Sequence, residues 1–205
     1  MTVRALFATQ IYASAWNDAR ARSLNSRLLR ECQQLRVDDR AGREWSRSGY
    51  PGGYTSYNSL CRMQQLSPTF AALERRINAH VKNFSARLQH DLHGHTLSMT
   101  DCWVNIMPRG VVHGLHLHPH STISGTYYVQ APRGCAGLKF EDPRLDRFMA
   151  APPRAANART ENCTWVTMAT AARQLVLFES WLRHEVPPNP SARERISISF
   201  NYNWF

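Results

Sequence analysis

The chain has 205 residues, of which 43% are apolar and 20% charged, enough for one domain with a substantial core and ordinary for a globular protein. No run of 18 apolar residues occurs, so no membrane-spanning helix and no membrane partner are expected. The excess of +10 attracts anions, which admits a nucleic acid or an acidic protein as partner, but it is nearly all dispersed arginine, and a plain basic surface accounts for it as well.

The start, MTVRALFATQIYASAW, lacks a basic segment followed by a long apolar one, so no signal peptide is read and a cytoplasmic location is expected. Five scattered cysteines without C-x-x-C spacing argue for reduced thiols, against a disulfide framework or a cysteine zinc site. A first helix is predicted over 16–35, with Leu24, Leu28 and Leu35 at helical spacing among arginines. A Gly/Ser/Tyr-rich loop is expected from Val37 to about Leu60, and its Tyr54 and Tyr57 offer either a substrate cover or plain packing. Ser67 as N-cap and Pro68 in the first turn open a second helix. Its apolar stripe is Phe70, Leu73, Ile77, Val81, Phe84 and Leu88. His90, His93 and His95 beyond it suit a helix C-terminus and are read as structural or solvated before metal-binding.

From Ser98 the pattern changes to short strands rich in β-branched and aromatic residues: 98–107, 111–118, 122–130, 137–141, 163–168, 174–179 and 195–204, with 181–186 as an eighth. Residues 143–162 form an Arg/Ala/Pro insertion between strands. The expectation is a single domain over 1–205, mainly β with N-terminal helices. A helical part (1–97) precedes a sandwich or barrel core (98–205), with the helices on the outside of one sheet.

The last strand alternates cleanly. Ile196, Ile198, Phe200, Tyr202 and Trp204 share one face, and Arg195, Ser197, Ser199, Asn201 and Asn203 the other. With helices packed on the apolar face, the polar face lines an interior pocket, where Arg195 and Ser197 present a fork and a hydroxyl suited to a carboxylate. Four of the nine histidines fall within eight residues, His113, His116, His118 and His120. His116 and His118 lie two apart on a predicted strand, on one face and ~7 Å apart. His184 is the one histidine C-terminal to the cluster. Three such imidazoles suit iron, zinc, copper or nickel.

The runs HLHPHSTISGTYYV, GLKFEDPR and LVLFESWLRHEVPPNPSARERISISFN resemble 2-oxoglutarate- and Fe(II)-dependent oxygenases related to prolyl hydroxylases, as do LFATQIY and GGYTSYNSL. The resemblance covers nearly the whole chain and is most specific where His184 precedes Arg195 by eleven residues. It implies a double-stranded β-helix (jelly roll) backed by two helices, with Fe(II) and 2-oxoglutarate as cofactors. The partners it implies are 2-oxoglutarate, O2 and an unidentified substrate, a small molecule, peptide or protein. The implied reaction is a dioxygenase hydroxylation that releases succinate and CO2. By the same resemblance His116 takes the first metal position, His184 the distal one, and Arg195 with Ser197 the far carboxylate of 2-oxoglutarate. The chain departs from the pattern at the middle ligand, where the superfamily has a carboxylate and this sequence has His118, with His120 as the competitor because Pro119 can end the strand. Asn105 and either Tyr127 or Tyr128 are further candidates to reach the co-substrate. Two rivals stand beside this reading. A three-histidine cupin-type dioxygenase would need no 2-oxoglutarate, and Arg195-x-Ser197 argues against it. A catalytically silent basic binding module would leave the inward histidines unexplained.

Overall fold

A computed structural model describes residues 1–204. In chain order the elements are β1 (Ile11–Ala15), α1 (Ala19–Asp38), α2 (Arg40–Gly49), β2 (Tyr54–Thr55), α3 (Met63–Leu66), α4 (Pro68–Arg87), β3 (Leu97–Met107), β4 (His113–His116), β5 (Ile123–Gln130), β6 (Lys139–Glu141), β7 (Trp165–Thr167), β8 (Gln174–Glu179), β9 (His184–Val186) and β10 (Arg195–Trp204). Among the described residues the strands form two antiparallel sheets, one in the order β1-β8-β5-β10-β3-β2 and the other β4-β9-β6-β7. This is the predicted double-stranded β-helix, with all eight strands expected after Ser98 present in some length.

The alternation of β10 decides how the layers stack. Ile196, Ile198, Phe200 and Tyr202 are buried in one apolar cluster with Leu24 and Leu28 of α1 and Phe70, Leu73, Ile77 and Val81 of α4. The two long helices therefore cover the outer face of the large sheet. A second cluster, which includes Met107, Tyr128, Phe140, Val176, Phe178 and Val186, fills the space between the sheets. Tyr127 and Tyr128 separate accordingly. Tyr127 turns outward, its hydroxyl donating to Asn25 Oδ1 at 3.1 Å, while Tyr128 turns inward. Gly125 is required at its place, because a Cβ there would stand 2.6 Å from the Phe200 ring that lies across it.

The helix starts follow from capping. Ser67 Oγ accepts from the Thr69 and Phe70 amides at the start of α4, as its sequence position predicts. The first helix begins at Ala19 rather than Trp16, because Asp18 caps it, accepting from the Ala21 amide at 2.9 Å. The expected loop over 37–60 needs a larger correction, since it holds α2 and β2. Asp39, 7% exposed, accepts from the Gly42 amide at 2.8 Å, the Tyr54 hydroxyl at 2.9 Å and the Ser59 hydroxyl at 2.6 Å, fixing this segment from within. Strand β1, paired with β8, and the short α3 were not anticipated. The strand expected over 111–118 is also shorter, ending at His116. The insertion carries two single 3-10 turns, Leu145–Arg147 and Thr160–Asn162.

Candidate metal centre and anion pocket

Strands β4 and β9 pair so that His116 stands directly opposite His184. Cross-strand neighbours on one face lie within side-chain reach, and their ring centroids are 4.4 Å apart. His118 lies beyond the end of β4, so strand alternation does not place it. Its amide donates instead to the Ser180 carbonyl at 3.0 Å, which turns its ring parallel to that of His184 at 5.2 Å. One nitrogen from each of His116, His118 and His184 lies within 4.8 Å of the others. His120 takes a left-handed backbone conformation (φ 62°) after Pro119 and is exposed, its carbonyl accepting from Asn203 Nδ2. The structure thus brings His118, and not His120, to the other two. His90, His93 and His95 stand apart from this set, with His95 edge-on to Trp204.

The tautomers are dictated by the partners. His116 Nδ1 faces the Gly114 carbonyl at 2.7 Å and His184 Nδ1 the Leu182 carbonyl at 2.9 Å. A carbonyl only accepts, so both Nδ1 atoms carry the proton and both Nε2 atoms keep a free lone pair. Burial, reinforced by the neighbouring imidazoles, pushes His118 down to about 3 and His184 to about 4, and burial lowers His116 as well. Neutral imidazoles with oriented lone pairs are the form that binds a transition metal, so the donor set fits an iron ion.

Deeper between the sheets lies a second feature. Arg195 is 2% exposed, yet its hydrogen-bond partners are Met107 Sδ at 3.3 Å and Ser197 Oγ at 3.0 Å, with no carboxylate among the described residues. Its guanidinium lies 4.8 Å from the Tyr128 ring centre, and its Nε is buried without a partner. The hydroxyls of Tyr128 and Tyr50 and the Oδ1 of Asn105 are buried and unpartnered too. Asn105 sits opposite Ser197 in the β3–β10 register and donates through Nδ2 to Ser199 Oγ. A buried guanidinium without a counter-charge is costly, and so is each orphaned hydroxyl. The guanidinium, the Ser197 hydroxyl and the two tyrosine hydroxyls are donors, the chemistry that suits a carboxylate, whereas the Asn105 oxygen is an acceptor. Asn189 holds the turn before Arg195, donating to the Met107 and Arg193 carbonyls.

Sequence reasoning missed Tyr50 and His113. Tyr50 falls in the segment expected as a loop, just past the end of α2, and no local pattern marks it. Its ring lies 5.4 Å from that of His113, which in turn stacks on His116 at 4.6 Å. Of the two tyrosines offered as a cover, Tyr57 lies half-exposed at the mouth, edge-on to Trp103 at 4.9 Å, whereas Tyr54 is buried on Asp39 and does not reach the cleft.

Residues 101–201 match the family model for the 2OG-Fe(II) oxygenases. Among solved structures the chain is similar to a prolyl-4-hydroxylase from Pseudomonas putida, with 16% identity, a TM-score of 0.63, and coverage of 95% of this chain and 92% of that one. It is also similar to HygX from Streptomyces hygroscopicus, solved with nickel, 2-oxoglutarate and hygromycin B, at 15% identity and TM-score 0.59, covering 96% of this chain and 83% of that one. A third is SnoN, an α-ketoglutarate-dependent epimerase of nogalamycin biosynthesis, at 15% identity and TM-score 0.63, covering 95% of this chain and 76% of that one. At such identities these structures speak for the fold. No curated protein matches the chain.

Proposed function

We propose, from the premise that residues 101–201 are the core of a 2-oxoglutarate- and Fe(II)-dependent oxygenase, that this protein is a dioxygenase that hydroxylates its substrate. The observation that carries the reading is the pairing of two groups with complementary needs. Three neutral imidazoles turn toward one point, and a buried guanidinium without a counter-charge stands deeper in the same interior.

In this reading His116, His118 and His184 hold Fe(II) through nitrogen, and Arg195 with Ser197 holds the far carboxylate of 2-oxoglutarate. Bound together, iron and 2-oxoglutarate supply the oxidising chemistry, consuming O2 and releasing succinate and CO2. The chain supplies order. The Gly114 and Leu182 carbonyls fix the rings of His116 and His184 and keep their protons away from the metal side. Arg195 donates its fork to the carboxylate, and Ser197 and the Tyr128 hydroxyl add donors that currently lack or share partners. Asn105 holds a free acceptor in the same interior. Phe140 and Phe178, packed 5.8 and 4.6 Å from the His184 ring, exclude water from that side.

His118 in place of a carboxylate leaves the ligand set one negative charge short, which is the feature that favours the three-histidine dioxygenase alternative. The buried Arg195 weighs against it, since that chemistry has no dicarboxylate to bind. Oxygen uptake and succinate release under Fe(II) and ascorbate, with and without 2-oxoglutarate, separate the two. The proposal expects no succinate, and no oxygen uptake beyond that of the Fe(II)–ascorbate mixture without protein, when 2-oxoglutarate is left out. Protein-dependent uptake above that background without 2-oxoglutarate would favour the alternative.

A further inference from the structure

Above the three imidazoles opens a cleft of about 330 Å³. Its sides carry Trp45, Tyr57, Trp103, Val112 and Leu117. Trp45, Tyr57, Val112 and Leu117 are 40%, 48%, 48% and 39% exposed, so large apolar side chains are left open to solvent in one place, beside the candidate metal centre. Apolar side chains left open together beside a concave site are a feature of ligand-binding grooves. Among the described residues that line it there is no Lys, Arg, Asp or Glu, in a chain where 20% of residues are charged. The excess charge lies elsewhere: α1, α2 and α4 together carry twelve Lys or Arg and four Asp or Glu, a net +8 of the chain's +10. Of the polar lining, the Tyr50 hydroxyl is buried without a partner, while two side chains are engaged. Asn201 Oδ1 accepts from Ser124 at 2.8 Å, and Thr55 Oγ1 accepts from the Tyr57 amide at 3.3 Å.

We infer that this cleft takes a small substrate whose reacting part is a neutral, ring-bearing apolar group, held by Tyr57 and Trp103. The inference rests on the oxygenase reading for what happens to that group, and on the cleft alone for its binding. A charged group would lose its water on entering without meeting a side chain of opposite charge in the lining. Three aromatic side chains favour a ring over an aliphatic chain, through edge-on and offset contacts. The volume lies at the low end for small-molecule sites and suits one ring system rather than a stretch of polymer.

The test uses anaerobic protein loaded with Fe(II) and 2-oxoglutarate, and three probes with one ring system and different charge: 2-naphthol, 2-naphthoate and 2-naphthylmethylammonium. Binding is measured by calorimetry, and iron and 2-oxoglutarate content are assayed separately. The expected result is binding of 2-naphthol, with both charged probes at least tenfold weaker. Tyr57→Ala should weaken 2-naphthol at least fivefold with iron and 2-oxoglutarate content unchanged. Tyr57 is half-exposed, so its variant tests the contact without disturbing the core. Trp181→Ala, an exposed tryptophan outside this cleft, should change nothing. Equal or tighter binding of either charged probe, no binding of 2-naphthol, or binding indifferent to Tyr57→Ala would overturn the inference. Failure to take up iron and 2-oxoglutarate would count against the oxygenase reading instead, and the 2-naphthol result on unloaded protein would still decide the cleft.

Discussion

At the scale of single residues, the histidines carry the sharpest test. His116 and His184 were readable because a strand pair needs only period two and a distant partner. His118 reaches the same point by a different route from the one alternation implies, since β4 ends at His116 and the Ser180 carbonyl directs the next two residues. Pro119 and the left-handed backbone of His120 then take that residue away, as the proline suggested. His118→Ala is therefore expected to lose most bound iron after anaerobic loading and desalting, while His120→Ala keeps it. His118→Asp should retain iron, because an oxygen ligand completes a two-histidine, one-carboxylate set. Metal analysis showing loss in His120→Ala and retention in His118→Ala would reverse the assignment. Tyr50 was illegible for a different reason: the sequence shows a tyrosine before a turn, and only the packed chain shows that its hydroxyl is buried without a partner.

At the scale of elements, what was legible had a strong local signal. The stripe from Phe70 to Leu88 and the cap at Ser67 specify α4 on their own, and the alternation of β10 specifies both of its faces. Helix α2 carries no such signal. Its sequence, RAGREWSRSG, has one large apolar residue, Trp45, and that residue faces the cleft rather than the core. What holds α2 is the Asp39 hub, a set of contacts with Tyr54 and Ser59 made by the fold and absent from local periodicity. Strand β1 is likewise five residues long and gains its identity from pairing with β8. The helical backing is expected to be structural and separable from the site. Ile77 is fully buried between α4 and the large sheet, so Ile77→Ala should cost about 2–5 kcal/mol of stability. Denaturant unfolding should report that loss while iron binding per folded molecule stays unchanged. A fall in iron content of the folded fraction would show that the helices shape the site.

At the scale of the whole molecule, a β-helix with one packed face and one polar interior face buries ionisable groups, and its stability responds to pH accordingly. His113 and His118 are held down at about 3 and His184 at about 4, against an ordinary 6.5, by burial first and then by their neighbours' charge. Unfolded, each takes up a proton at higher pH than it does folded, so their contribution is present in full above about pH 6.5 and is lost as pH falls toward the folded values. The metal-free protein should therefore melt at a lower temperature near pH 5 than near pH 7.5, and His184→Asn should flatten the difference. A melting temperature that rises on acidification would refute this account of the cluster. The mainly β class, the layer order and the polar interior could be read from periodicity, and the double-stranded β-helix from the family resemblance; the lining of the cleft could not, because it depends on Trp45, Tyr57 and Trp103 meeting from three separate segments. The central claim is that the interior binds 2-oxoglutarate through Arg195, and titration of 2-oxoglutarate into anaerobic, Fe(II)-loaded protein tests it most directly. Wild-type protein should bind one equivalent, and Arg195→Met should retain iron but lose about 2–5 kcal/mol of 2-oxoglutarate binding, at least roughly thirtyfold in affinity. Equal affinity in the two proteins would contradict it.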